Sequence, residues 1–207
     1  MTRRVLIHLS NVVLLATTNL ATAGAATLGL TAEPTLAHLP SYVAHEKGLF
    51  RSEGLSVKMT PLTGRALIST GVKGTVDFVP IEGCGAQAVR SGSRLKSIDG
   101  QSVMSHPVLA VRKNIKTLED HRILAKIGET RPYLLGTIWV RNTYLSKKRS
   151  NVTKFIRAIA REMQIIHQDK QTVTSVIMKY FRIVDPTEAG HIWKVMKNQF
   201  TPDIPPS

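Results

Sequence analysis

The sequence predicts an α/β fold: a mixed sheet of roughly four to six strands with helices on both faces, forming mainly one lobe. Three observations carry this expectation. Strand-like runs at 55–61, 75–80, 107–112 and 137–144 alternate with helical stretches. Within Thr35 to Met59, TLAHLPSYVAHEKGLFRSEGLSVKM, helix-spaced Tyr42 and Leu49 give way to alternation, with Leu55, Val57 and Met59 apolar and Ser56 and Lys58 polar. A period of 3.6 that becomes a period of 2 across a glycine reads as helix, turn and strand. The C-terminal third then carries two apolar stripes at helical spacing.

The 207 residues suit one domain and are marginal for two. With 43% hydrophobic and 20% charged residues, a packed core is expected rather than disorder. The N-terminus has the three parts of a secretory signal peptide: basic Arg3 and Arg4, a mostly apolar run from Val5 to Ala16, and the small-residue site Ala23-Gly24-Ala25. The expected leader is residues 1–25, which implies a periplasmic or secreted protein. Its apolar run is shorter than the roughly 20 residues needed to span a bilayer. Removing it takes away two arginines and no acid, so the net charge falls from +14 to +12. The basic residues are scattered, the densest cluster being Lys147-Lys148-Arg149, and aromatics are sparse at 5%. That argues against the stacking platforms of a nucleic-acid binder and leaves a solvated basic surface or, alternatively, an anion-attracting field around a small-molecule site. Cys84 is the one cysteine, so no internal disulfide can form, and a small buried side chain is expected there.

In chain order, Leu28 to Thr35 reads as a short first strand, followed by a loop through Pro40. Ser41 is placed to cap a helix over Tyr42 to Lys47, which Gly48 ends. Leu55 to Pro61 is the second strand, and Thr63-Gly64-Arg65 turns into a helix over Ala66 to Val72. Gly74 to Pro80 holds the third strand, with Asp77 accepting backbone hydrogen bonds at the turn. Ile81 to Arg90 is a glycine-rich loop entering a helix, whose free N–H groups favour an anion. Leu95, Ser97 and Ile98 begin another strand, and His106 to Arg112 reads as a buried one. Val152, Phe155, Ile156, Ile159, Met163 and Ile166 form one helical stripe, and Val173, Val176, Ile177, Tyr180 and Phe181 another. Asp185-Pro186-Thr187-Glu188 is a helix start, with an acceptor at the cap, proline at the first position and an acid at the third. The tail TPDIPPS is too proline-rich to be helical.

The run from Leu39 to Val57 closely resembles the start of the periplasmic solute-binding proteins that serve ABC importers for nitrate, aliphatic sulfonates, taurine and thiamine-pyrimidine precursors. Gly74 to Phe78 resembles that family's "sG-vDf" pattern, and Ile115 to Asp120 resembles the segment that leads its chain into a second lobe. The resemblance implies a periplasmic-binding-protein type II-like fold, an anionic solute, an ABC permease as partner, and no cofactor or metal. It departs in the middle. Only HRILAKIGETRPYLLG separates Asp120 from Thr137, and Thr137 to Tyr144 already resembles the strand that returns to the first lobe. The expected organisation is a first-lobe segment over 26–120, an irregular bridge or second-lobe remnant over 121–136, and a return strand with packing helices over 137–207. The ligand edge expected at strand ends and helix starts comprises His38, Leu39, Pro40, Ser41, Thr63, Gly64, Arg65, Glu82, Gly83, Cys84 and Gly85.

The seven histidines lack metal-ligand spacing, and there is no nucleophile elbow, phosphate loop or dinucleotide fingerprint. The expected function is therefore binding without chemistry. The alternatives are a shortened homologue without tight solute binding, or an enzyme for a pyrimidine precursor on the same fold. That enzyme group depends on cysteine- and histidine-rich elements which this chain does not show.

Overall fold

A run of small residues, Gly24-Ala25-Ala26-Thr27, opens the first strand of a five-stranded mixed sheet in the computed structural model, which describes residues 24–81, 84–102, 108–112, 121–126 and 136–200. The strands are β1 (Gly24–Thr31), β2 (Leu55–Leu62), β3 (Phe78–Pro80), β4 (Leu95–Ser102), β5 (Val108–Arg112), β6 (His121–Lys126) and β7 (Gly136–Arg141). The main sheet has the order β2-β1-β3-β7-β4. The pairs β2–β1 and β1–β3 are parallel, whereas β7 runs antiparallel to both β3 and β4. The returning strand thus lies inside the sheet.

The helices are α1 (Leu39–Glu46), α2 (Leu49–Ser52), α3 (Gly64–Lys73), α4 (Cys84–Arg90), α5 (Asn142–Lys147), α6 (Arg149–Gln168), α7 (Lys170–Phe181) and α8 (Pro186–Met196). Alternation along the strands divides the core between the two faces of the sheet. Phe78, Ile138 and Val140 join the large cluster with α1, α6 and α7, while Val79 and Trp139 join the smaller one with Leu67 of α3 and Ile81. The expected stripe of α6 is the buried one, with Val152, Phe155, Ile159, Met163 and Ile166 inside and Ile156 partly so. Asp185 caps α8 as expected, accepting from the Thr187 amide at 2.8 Å. Asp77 accepts from both the amide and the hydroxyl of Thr27, each at 2.8 Å, which ties the entry of β3 to β1.

Several expectations need correction. The first strand ends at Thr31, four residues before the expected Thr35. Helix α1 begins at Leu39, so Ser41 lies inside it and is no cap. The segment 142–144 belongs to α5 and not to the return strand. β5 does not join the main sheet but pairs antiparallel with β6 in a two-stranded sheet, so 121–126, expected within an irregular bridge or a second-lobe remnant, is strand. Of the expected leader over 1–25, residues 1–23 lie outside the described residues while Gly24 and Ala25 belong to β1; the segments 82–83, 103–107, 113–120, 127–135 and 201–207 also lie outside them.

Candidate functional site

The parallel register sets Thr31 beside Leu62, so β1 and β2 end together. The Ala32 amide donates to the Leu62 carbonyl at 2.7 Å, and the Thr31 hydroxyl donates to the Glu33 carbonyl at 2.7 Å, folding the chain back at this edge. Immediately beyond β2, Thr63 takes an extended backbone and α3 starts at Gly64. A cavity of about 400 Å³ opens here, lined by Thr31, Ala32, Glu33, Thr35, Leu62, Thr63 and Gly64. It lies at the carboxyl ends of parallel strands, where open α/β sheets hold their ligands. The first N–H groups of α3 have no partner within the helix, and the Thr63 side chain does not cap them. They and the hydroxyls of Thr35 and Thr63 offer donors to a small anion, whereas the Thr31 hydroxyl proton is committed to the Glu33 carbonyl. Glu33 is the one charged residue in the lining, and it opposes that charge.

Of the expected ligand residues, Thr63 and Gly64 line this cavity. Arg65 is the exposed second residue of α3, next to the lining. His38 is buried: its Nδ1 lies 3.3 Å from the Thr31 hydroxyl, and its ring also donates to the Pro80 carbonyl. Burial drives its pKa down to about 4, the Pro80 bond opposing, so the ring is neutral near pH 7. It thus touches the cavity lining through Thr31 without lining the cavity itself. Leu39, Pro40 and Ser41 are buried in the core and do not belong to the cavity lining. The Ser41 hydroxyl has no hydrogen-bond partner among the described residues. Glu82 and Gly83 lie outside the described residues. Cys84 is exposed, against the expectation of a buried side chain. Gly85 is buried, and a side chain there would collide with the Trp139 indole; its glycine lets α4 approach β7. Trp139 in turn donates to the Ile81 carbonyl at 3.1 Å.

Sequence reasoning missed Thr31, Ala32, Glu33, Thr35 and Leu62 as lining residues. The available signal was the strand-end rule itself, applied to a first strand set four residues too late. Among the described residues, no group of three or more His, Cys, Asp or Glu is placed to hold a metal ion, and no helix is long and apolar enough to cross a membrane.

No family model matches the chain, and no curated protein sequence matches it. Solved structures do. A protein of Bordetella bronchiseptica RB50 superposes with a TM-score of 0.74 at 12% identity, over 89% of this chain and 85% of that one. The alkanesulfonate-binding protein SsuA of Xanthomonas axonopodis pv. citri, bound to MOPS, gives 0.66 at 11% identity, over 88% and 86%. The periplasmic aliphatic sulphonate-binding protein SsuA of Escherichia coli gives 0.60 at 8% identity, over 86% and 85%. The chain has the periplasmic-binding-protein fold. Its structural neighbours include sulfonate-binding proteins of ABC import, in agreement with the resemblance read between Leu39 and Val57.

Proposed function

We propose that this chain is the exported solute-binding component of an ABC importer, delivering a small organic anion to its permease without chemical change. The carrying observation is the cavity of about 400 Å³ at the ends of β1 and β2, with threonine hydroxyls and the start of α3 on its wall. The basic balance of the chain supports attraction of an anion, and Arg65 supplies a guanidinium beside the lining. Two-lobed receptors engulf a ligand by hinge closure, so that both sides desolvate it. Here Ala32, Glu33, Thr35, Thr63 and Gly64 are all exposed, so a ligand keeps one face in water. Polar contacts on that face are exchanged for water at little net gain. Weakening from micromolar to millimolar dissociation corresponds to about 4 kcal/mol, a few net hydrogen bonds. The monomer therefore binds near millimolar.

The same exposure favours a second reading, a shortened homologue that keeps the lobe without tight solute binding. Calorimetry of the exported protein with ethanesulfonate and with nitrate separates them. One-to-one binding with a dissociation constant of about 1 mM supports the receptor. Absence of heat and of any melting shift at about a hundred times that concentration supports the second reading. A sub-micromolar complex formed by the monomer would show a complete, closing site and overturn the weak-binding argument.

A further inference from the structure

We infer that the exported chain begins at Gly24, the leader being cut between Ala23 and Gly24, two residues before the boundary after Ala25. This rests on the export reading above and concerns where the cut falls. The sequence Ala21-Thr22-Ala23 meets the same small-residue rule as Ala23-Gly24-Ala25, so the leader alone offers two overlapping sites. The fold distinguishes them.

Gly24 and Ala25 are the first two residues of β1, paired with Leu55 and Ser56 of β2. The Gly24 amide donates to the Gly54 carbonyl at 3.1 Å, holding β1 to the turn that precedes β2. The Ala25 carbonyl accepts from Asn151 Nδ2 at 3.3 Å, and the same amide group donates to the Tyr144 hydroxyl at 3.3 Å. These two residues therefore join β1 to β2 and to α6. The Asn151 side chain also lies where a Cβ on Gly24 would sit, so a larger residue there would displace it.

A cut after Ala25 removes these contacts and places a new α-ammonium on Ala26, which is 5% exposed within a ladder bonded to Val57. A charged amine in a buried ladder is costly unless paired. A cut after Ala23 places it on Gly24, which is half-buried at the strand tip. There the ammonium still donates to the Gly54 carbonyl, now as a charge-assisted bond.

The test is the N-terminus of the full 207-residue chain exported from a Gram-negative host, read by intact mass and N-terminal sequencing. Gly24 is the expected first residue. Ala26, or any other start within the chain, overturns the inference while leaving export intact. A chain that keeps its leader in every fraction overturns both. Two variants localise the cut: Ala21→Arg should abolish processing at Gly24, whereas Ala25→Gln should leave it there. A second measurement is independent of the peptidase. Chains released from a fusion tag to begin at Gly24 or at Ala26 are compared by thermal melting. The Gly24 chain should melt at the higher temperature, and equal midpoints would remove the structural reason for the assignment.

Discussion

Glu162 is buried on α6, and neither carboxylate oxygen has a hydrogen-bond partner among the described residues. Burial, with a smaller contribution from the charge of Asp99, raises its pKa well above the ordinary carboxylate value. The folded state therefore holds a proton that the unfolded chain releases once the pH passes about 4.5. Stability is fully present below that pH and falls as the pH rises toward the folded value. Glu162→Gln should remove this slope: urea titrations should find it close to wild type at pH 4 and more stable at pH 8. Parallel pH profiles for the two proteins would refute the assignment. His38 acts in the opposite direction. Its folded pKa of about 4 means that stability is lost as the pH falls from 6.5 toward 4, while the unfolded chain takes up the proton. At the cavity, Glu33 is the charge that an anion must tolerate. Glu33→Gln should tighten ethanesulfonate binding by a few-fold, a modest gain because an exposed charge is well screened. Unchanged or weaker affinity in calorimetry would remove Glu33 from the site.

At the scale of elements, Phe155 of α6 holds the sheet to its helices. Its ring stacks on Phe78 of β3 with centroids 3.9 Å apart and on Phe50 of α2 at 5.0 Å. Phe155→Ala should cost about 3–5 kcal/mol, read as a lower urea midpoint at unchanged slope. A loss below about 1 kcal/mol would mean that this face is not packed as described. Residues with strong local preferences were legible as elements. Gly48, read as a stop, has a φ of 64°, and the stripe of α6 faces inward. The start of β1 was not legible, because Gly24, Ala25, Ala26 and Gly29 have little intrinsic strand preference. Pairing with β2 on one side and β3 on the other overrides it. Ser41 misled for a related reason. Its hydroxyl suits a cap, yet Leu39 and Pro40 enter the core with it, and burial sets where α1 begins. At the site, Thr63 and Gly64 could be found because a turn follows a clear alternating strand. Glu33 could not, because its position depends on where β1 ends.

At the scale of the whole molecule, the proposed ligand edge lies on an exposed surface of the lobe. A ligand at about a hundred times its dissociation constant stabilises by about 2.7 kcal/mol, so ethanesulfonate near 100 mM should raise the melting temperature by several degrees. Sodium chloride at equal ionic strength is the control, and an equal rise there would point to a general salt effect. The place of β7 has a further consequence, concerned with time rather than with binding. β4 finds its one neighbour in the main sheet in β7, and β3 needs β7 on its open side. A ribosome adding about 5–20 residues per second takes roughly 2–7 s to make the stretch from the end of β4 to the start of β7. Throughout that interval the emerging chain carries strands whose partners do not yet exist. Such a chain remains open to proteases, chaperones and translocation machinery until the return strand arrives. Nascent chains arrested before residue 136 should be digested rapidly, and chains extended past α6 should resist; early resistance would show that the sheet closes without its return strand.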